Sequence, residues 1–227
     1  ELILDLVLAW GGPGRTLVDL PPTFAMYGID ARITGTGVIE VPRLADFSVD
    51  ADALMRVVAE RDPDIIVISN PNNPTGTMVP ETVMIDLLNA TDALVLVDEA
   101  YFEFSRQTMR PHMERHPNLV ILRTFSKAFS LAGLRAGYLL AHEDVVHELT
   151  KVRQPYSVNR FTQVAAALTF RERVVFEAGI RETLRFRDRL VHGLGAITGV
   201  EVFPSEANYV LFRVQHASAV WRDLLHD

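Results

Sequence analysis

Three stretches of this sequence hold side chains whose types and spacing could do chemistry together. The first runs from Leu122 to Tyr138. Of the 22 basic residues only two are lysines, Lys127 and Lys151. Lys127 stands among Phe125, Ala128, Phe129, Leu131 and Ala132, which predicts partial burial. Burial lowers an amine's pKa and makes it a nucleophile toward carbonyls. Lys151, beside Glu148, Thr150 and Arg153, reads as a surface residue. Ser126 and Arg135 add a hydroxyl and a planar guanidinium, a pairing suited to phosphate. The second stretch, Ala93 to Tyr101, ends an apolar run on Asp98. A carboxylate there is costly unless it meets a cation, whether an arginine, a metal or a protonated ring nitrogen. A helix cap or an internal salt bridge accounts equally for a lone acid at that place. Tyr101 offers a hydroxyl at the same mouth. The third, Ser69-Asn-Pro-Asn-Asn-Pro-Thr-Gly-Thr77, can continue neither strand nor helix and makes a rigid turn that aims the amide of Asn73. Asp98-Glu99 also has the look of an ATPase acidic pair, but the sequence has no Gly-x-x-x-x-Gly-Lys-Ser/Thr loop.

These motifs need strand ends to hold them. Arg15–Leu20, Asp64–Ser69, Ala93–Val97, Asn118–Arg123 and Arg135–Ala141 read as strands, and Asp30–Pro42 as two short β pieces around Gly35 and Gly37. Helical spacing covers Glu1–Trp10, Pro22–Gly28, Ala51–Arg61 with Asp50 as its cap, and Pro80–Asn89. Continuous apolar strands between helices predict an α/β sheet, mostly parallel and covered on both faces. Such sheets place ligands at their strand ends. Beyond Glu143 helices dominate (143–153, 161–170, 172–194, 217–227), with two strand-like pieces at Val200–Phe203 and Asn208–Val214. A domain boundary is expected near residues 142–155, which divides the chain into 1–145 and 146–227.

The length of 227 residues allows one large domain, or one and part of a second. A composition of 48% hydrophobic and 22% charged residues excludes a mainly disordered chain. The net charge of −7 argues against binding nucleic acid or an anionic membrane. No apolar run is long enough to cross a bilayer. Having no cysteine excludes a disulfide scaffold, a Cys-ligated zinc and a thiol nucleophile, and suits a cytoplasmic protein. His112 and His116 stand at i, i+4 without a third ligand and read as a surface helix, so no metal site is expected.

An amine, an anion for a cationic ring, hydrogen-bond donors and a phosphate anchor are the four things pyridoxal phosphate requires. With these motifs, Pro21–Tyr27, Pro155–Asn159 and Pro204–Tyr209, the chain resembles the histidinol-phosphate aminotransferase family, a fold-type I branch of the pyridoxal-phosphate-dependent aminotransferases. The resemblance implies a mostly parallel seven-stranded-type sheet sandwiched by helices, with a large cofactor-binding domain over 1–145 and part of a small α+β domain over 146–227. It implies a Schiff base on Lys127, the ring nitrogen on Asp98, and the phenolic oxygen on Asn73 and Tyr101. Ser126, Arg135 and Thr124 would hold the phosphate, and Phe24 would stack on the ring. Asn208 would lie near the substrate. The implied reaction is transamination between histidinol phosphate and 2-oxoglutarate, in a homodimer. The alternatives are an aromatic amino acid aminotransferase, which uses the same core, and a phospho-amino acid decarboxylase, which shares Lys127, Asp98 and Arg135. The family's Gly-(Ala/Ser)-Asp segment would precede Glu1 and its substrate-gripping arginine would follow Asp227, so the sequence reads as part of a longer protein.

Overall fold

The computed structural model describes residues 1–225. Its strands are β1 (Thr16–Asp19), β2 (Gly37–Glu40), β3 (Ile65–Ser69), β4 (Leu94–Asp98), β5 (Leu119–Thr124), β6 (Gly137–Leu140), β7 (Val200–Val202) and β8 (Phe212–Val214). Its helices are α1 (Leu2–Trp10), α2 (Met26–Ile33), α3 (Ala51–Arg61), α4 (Glu81–Ala90), α5 (Phe102–Ser105), α6 (Glu143–Val152), α7 (Arg160–Arg171), α8 (Glu177–Gly195) and α9 (Ala217–Leu224). The main sheet has the order β2-β1-β3-β4-β5-β6. Every pair in it is parallel except β5–β6. The mostly parallel α/β sheet is as the sequence predicts. It has six strands among the described residues, where the resemblance implies a seven-stranded type.

The apolar runs became central strands because both of their faces are covered. All five residues of β3 and of β4 are buried. Successive side chains of a strand point to opposite faces. Ile66, Ile68, Val95 and Val97 therefore pack with Leu54 and Val58 of α3 and Leu87 of α4. Ile65, Val67 and Leu96 face the other way, onto Leu6 of α1, Tyr27 of α2 and Val145 of α6. Asp50 caps α3, its Oδ1 accepting the Ala53 amide at 2.9 Å.

Several boundaries differ from expectation. Asp30–Pro42 holds one strand and not two, because α2 takes residues 26–33 and buries Tyr27 and Ala31 at i, i+4. That helix begins at Met26, later than the short helix expected over Pro22–Gly28. His112 lies in a 3₁₀ turn, Arg110–His112, rather than a surface helix, and its Nε2 meets Glu81 Oε1 at 2.6 Å. The long helix expected from Glu172 is split into a 3₁₀ turn, Arg173–Phe176, and α8. Helix α6 leans on α1 and buries Val145 and Leu149 against the sheet. In the C-terminal part, β7 and β8 form a small antiparallel sheet. The helix expected over 217–227 is present as α9, and residues 226–227 lie outside the described residues. No helix among the described residues is long and apolar enough to cross a membrane.

Candidate active site

The strand register sets the site. Ser69 lies opposite Asp98, and Asp98 opposite Leu122, so β3 and β4 end level and β5 runs two residues further, to Thr124. The chain leaves β1 toward β2, then crosses back to place β3 on the other side of β1. The loops after β1 and β3 therefore part, and open α/β sheets bind ligands in that crevice. The segment after β1 carries Phe24 and Tyr27, and the turn after β3 carries Asn73. Tyr101 follows β4, and Ser126 and Lys127 follow β5. Fully buried Asn72 joins the first two loops: its Nδ2 donates to Pro22 O at 3.0 Å and to Thr75 Oγ1 at 2.7 Å, and its Oδ1 accepts from Thr23 Oγ1 at 2.7 Å.

Asp98 is buried at the end of β4. Its Oδ2 accepts from the Tyr27 hydroxyl at 2.7 Å and its Oδ1 from the Ala100 amide at 3.0 Å. Burial raises its pKa above the ordinary carboxylate value, while Tyr27, the Ala100 amide and the charge of Lys127 pull it back down. Burial pushes the Tyr27 phenol far up, and the Asp98 charge adds to that. The Tyr101 phenol also rises, first through burial and then through Asp98. Burial thus weighs against the charged form of Asp98, and a cation beside it would favour that form.

Lys127 is exposed, contrary to the partial burial expected of it. Phe125 and Phe129 turn their rings inward with Ala136, and Lys127, midway between them, points outward at the strand mouth. Its Nζ lies 5.5 Å from the centre of the Tyr101 ring. It makes no hydrogen bond among the described residues. Tyr101 is itself buried, edge-on to Tyr209 at 5.1 Å. Asp98, Tyr101 and Lys127 are therefore brought together.

The hydroxyls of the first motif also cluster. Thr124 Oγ1 donates to Ser126 Oγ at 3.0 Å and accepts the Ser126 amide at 3.1 Å. Arg135 is exposed, with a left-handed backbone (φ 53°), and its Nη1 donates to Ala132 O at 2.8 Å. The structure records no contact between Arg135 and Ser126. Arg135 instead borders a cleft of about 260 Å³, shared with Ser157, Asn159 and Thr162. Asn73 is half-buried at the crevice, and Phe24, 38% exposed, offers its ring there, edge-on to Tyr27 at 5.6 Å. Asn208 is exposed on a loop tied to the Asn73 turn. In that tie Tyr209 donates to Asn72 O at 2.6 Å and the Glu206 amide donates to Gly76 O at 2.9 Å.

Sequence reading gives none of four further residues the part they play in shaping the site. Tyr27 bonds Asp98. Glu99, 1% exposed, accepts Arg123 Nε at 3.0 Å and Nη2 at 2.8 Å, Thr108 Oγ1 at 2.9 Å and the Met109 amide at 2.8 Å. Arg123 also lies 3.6 Å over the Phe102 ring. This buried pair braces the segments that lead to Tyr101 and Thr124. Arg43, buried, donates to Leu20 O and Phe47 O, both at 3.2 Å, while its Nη2 finds no partner among the described residues. Burial lowers the Arg43 pKa to about 10. The one available signal was Glu99 beside Asp98: a second acid after a buried strand needs its own cation, and Arg123 supplies it.

The loops at the carboxyl ends of β4 and β5 thus carry a buried acid, an exposed amine and a hydroxyl cluster. The chain belongs to the family described as aminotransferase class I and II, whose model matches residues 1–227. It is 42% identical over 227 residues to histidinol-phosphate aminotransferase 1 of Carboxydothermus hydrogenoformans, covering 100% of this chain and 64% of that protein. It is 45% identical over 232 residues to the histidinol-phosphate aminotransferase of Streptomyces avermitilis, covering 99% of this chain and 62% of that one. The chain thus spans less than two thirds of these relatives. A solved histidinol-phosphate aminotransferase of Sinorhizobium meliloti, in complex with pyridoxal-5′-phosphate, superposes with a TM-score of 0.88 at 24% identity, over 98% of this chain and 61% of that one. That likeness fixes the fold.

Proposed function

We propose that the protein is a pyridoxal-phosphate-dependent aminotransferase that moves the amino group of histidinol phosphate to 2-oxoglutarate, forming glutamate. The observation that carries this reading is buried Asp98 within reach of the charge of exposed Lys127, whose Nζ lies 5.5 Å from the centre of the Tyr101 ring. The donor set fits the cofactor. A carboxylate has about four acceptor positions, and Tyr27 and Ala100 use two of those on Asp98. A protonated ring nitrogen would be the cation its burial calls for. When bound, pyridoxal phosphate supplies an aldehyde and a ring that draws electrons from the carbon beside the substrate nitrogen.

The chain's own residues would do the rest. Lys127 Nζ would hold the cofactor through its aldehyde carbon, with loss of water, and would take and return a proton at the substrate carbon. Asp98 would keep a proton on the ring nitrogen. Asn73 and Tyr101 would donate to the phenolic oxygen, and Phe24 would cover one ring face. Thr124, Ser126 and Arg135 would hold the phosphate, and Asn208 would lie beside the substrate. We also propose that 1–145 is the cofactor-binding part and 146–227 part of a small substrate-side domain. The working form would be a cytoplasmic homodimer whose ligands are small molecules, an amino donor and a 2-oxo acid, not nucleic acid or membrane. The 42% and 45% identities to histidinol-phosphate aminotransferases support the choice of amino donor.

The test is a single-turnover spectrum of the full protein loaded with pyridoxal phosphate. Histidinol phosphate is expected to convert the bound chromophore rapidly to its amine form. Phenylalanine doing so while histidinol phosphate does not would overturn the substrate assignment, and a protein that takes up no chromophore would overturn the cofactor.

A further inference from the structure

We propose that Tyr27 is a positioning residue: its buried phenol holds the Asp98 carboxylate ionised and oriented, so that a shared proton stays on the cofactor's ring nitrogen. This rests on the pyridoxal phosphate reading above.

The geometry is specific. Tyr27 is fully buried and its hydroxyl lies 2.7 Å from Asp98 Oδ2. The Ala100 amide occupies Oδ1 at 3.0 Å. Each carboxylate oxygen thus has one fixed donor, which stops the group rotating about its bond. A backbone amide and a phenol also differ in kind, because only the phenol belongs to a side chain that selection could alter. The phenol's own titration is driven far up, so it remains a donor. Hydrogen bonding to the charged form favours that form. Asp98 held this way is the weaker base, and a ring nitrogen facing it keeps the proton. Without the phenol, Asp98 becomes the stronger base and draws that proton to itself, leaving the ring a poorer electron sink. The same side chain sets the ring's face as well, since Phe24 leans edge-on against it at 5.6 Å. One residue of the first turn of α2 therefore refers the stacking surface to the nitrogen partner.

The other ionisable groups around this pair do not substitute for it. Lys127 acts on Asp98 through charge, the Asp98 charge in turn raises the phenols of Tyr101 and Tyr209, and Asp19 and Arg43 flank Tyr27. None of the five donates a side-chain hydrogen bond to the Asp98 carboxylate among the described residues.

The experiment compares wild type and Tyr27→Phe in the full protein, with and without pyridoxal phosphate. In the apo-protein, ¹³C NMR of labelled aspartates, assigned with Asp98→Asn, reads the Asp98 titration directly. Its midpoint is expected to rise by about one to two pH units in Tyr27→Phe, the size of one hydrogen bond to a charged group. In the loaded protein, ¹⁵N NMR of ring-labelled cofactor is expected to move from the protonated toward the unprotonated position. 3-Fluorotyrosine at position 27 keeps the ring and sharpens the donor, and is expected to move the Asp98 midpoint down. It decides the matter if Tyr27→Phe does not fold, as judged by circular dichroism. An unchanged Asp98 midpoint, in a wild type that binds pyridoxal phosphate normally, overturns this proposal alone. A wild type that binds no pyridoxal phosphate overturns both this proposal and the function above.

Discussion

Replacing Glu99 with leucine tests whether the buried pair behind the site is structural. The change removes the acceptor for Arg123 Nε and Nη2, Thr108 Oγ1 and the Met109 amide. Breaking a buried ion pair from one side costs about 3–5 kcal/mol, because the remaining charge is stranded. Arg123 keeps two partial substitutes, the Phe102 ring at 3.6 Å and Thr108 Oγ1 at 2.9 Å. The expected loss is therefore near the lower bound, about 3 kcal/mol. Adding Arg123→Met removes the stranded charge. It leaves the buried Met109 amide without its acceptor, a cost of about 1–3 kcal/mol. The double variant is therefore expected to be more stable than Glu99→Leu alone by about 1 kcal/mol or more, a coupling that neighbouring residues show and independent ones do not. Urea denaturation of the four members of the cycle, in the full protein, measures it. Strict additivity, or a Glu99→Leu loss under about 1 kcal/mol, would falsify the reasoning, since both say that the pair is solvated or already compensated.

Lys127→Ala is expected to abolish transamination with little change in melting temperature, because the side chain is exposed and hydrogen-bonded to nothing described; turnover near normal would remove Lys127 from its role. Burial raises the Asp98 pKa, so in the apo-protein folding favours the protonated carboxyl. The stability that this contributes is whole below the ordinary carboxylate range and is lost as pH rises through the raised value. Asp98→Asn is thus expected to raise the apo-protein's melting temperature at neutral pH, leave it nearly unchanged at low pH, and weaken cofactor retention. Equal shifts at both pH values would contradict this. Gly76→Ala places a Cβ 2.3 Å from Ser205 Oγ and 3.0 Å from its Cα, at a φ of +75°. The steric and left-handed penalties together suggest a loss of about 2–4 kcal/mol and faster hydrogen exchange in the 204–209 loop. Exchange at the wild-type rate would show that the contact is soft.

The parts legible in the sequence were those that local chemistry dictates. Asp98 could be assigned to a strand end because an acid closing an apolar run has few other places to go. The Asn-Pro-Asn-Asn-Pro turn could not be anything but a turn. Lys127 was located but its exposure was not, because aromatic neighbours two residues away on each side say nothing about which way the middle residue faces. Phe125 and Phe129 satisfy their own burial in a separate cluster. The α2 segment was misread because Gly35 and Gly37 suggested β structure, while the helical pair Tyr27 and Ala31 gave only one turn of contrary signal. Tyr27 itself was illegible as a site residue. Its partner lies 71 residues away, and no local pattern links a buried tyrosine to one particular acid.

The span of these contacts bears on how the protein is made. The hydrogen bonds that finish the crevice join residues 71 and 137 apart in the chain. The parallel strands beneath them are all encoded by residue 124. At about 5–20 residues per second, a ribosome takes on the order of ten seconds to go from there to Tyr209. A nascent chain therefore has the strands, Asp98 and Tyr27 before it has the tyrosine that caps Asn72. A chain stalled before residue 209 therefore has its parallel strands but lacks both the tie from Tyr209 to Asn72 and the edge-on packing of Tyr209 on Tyr101.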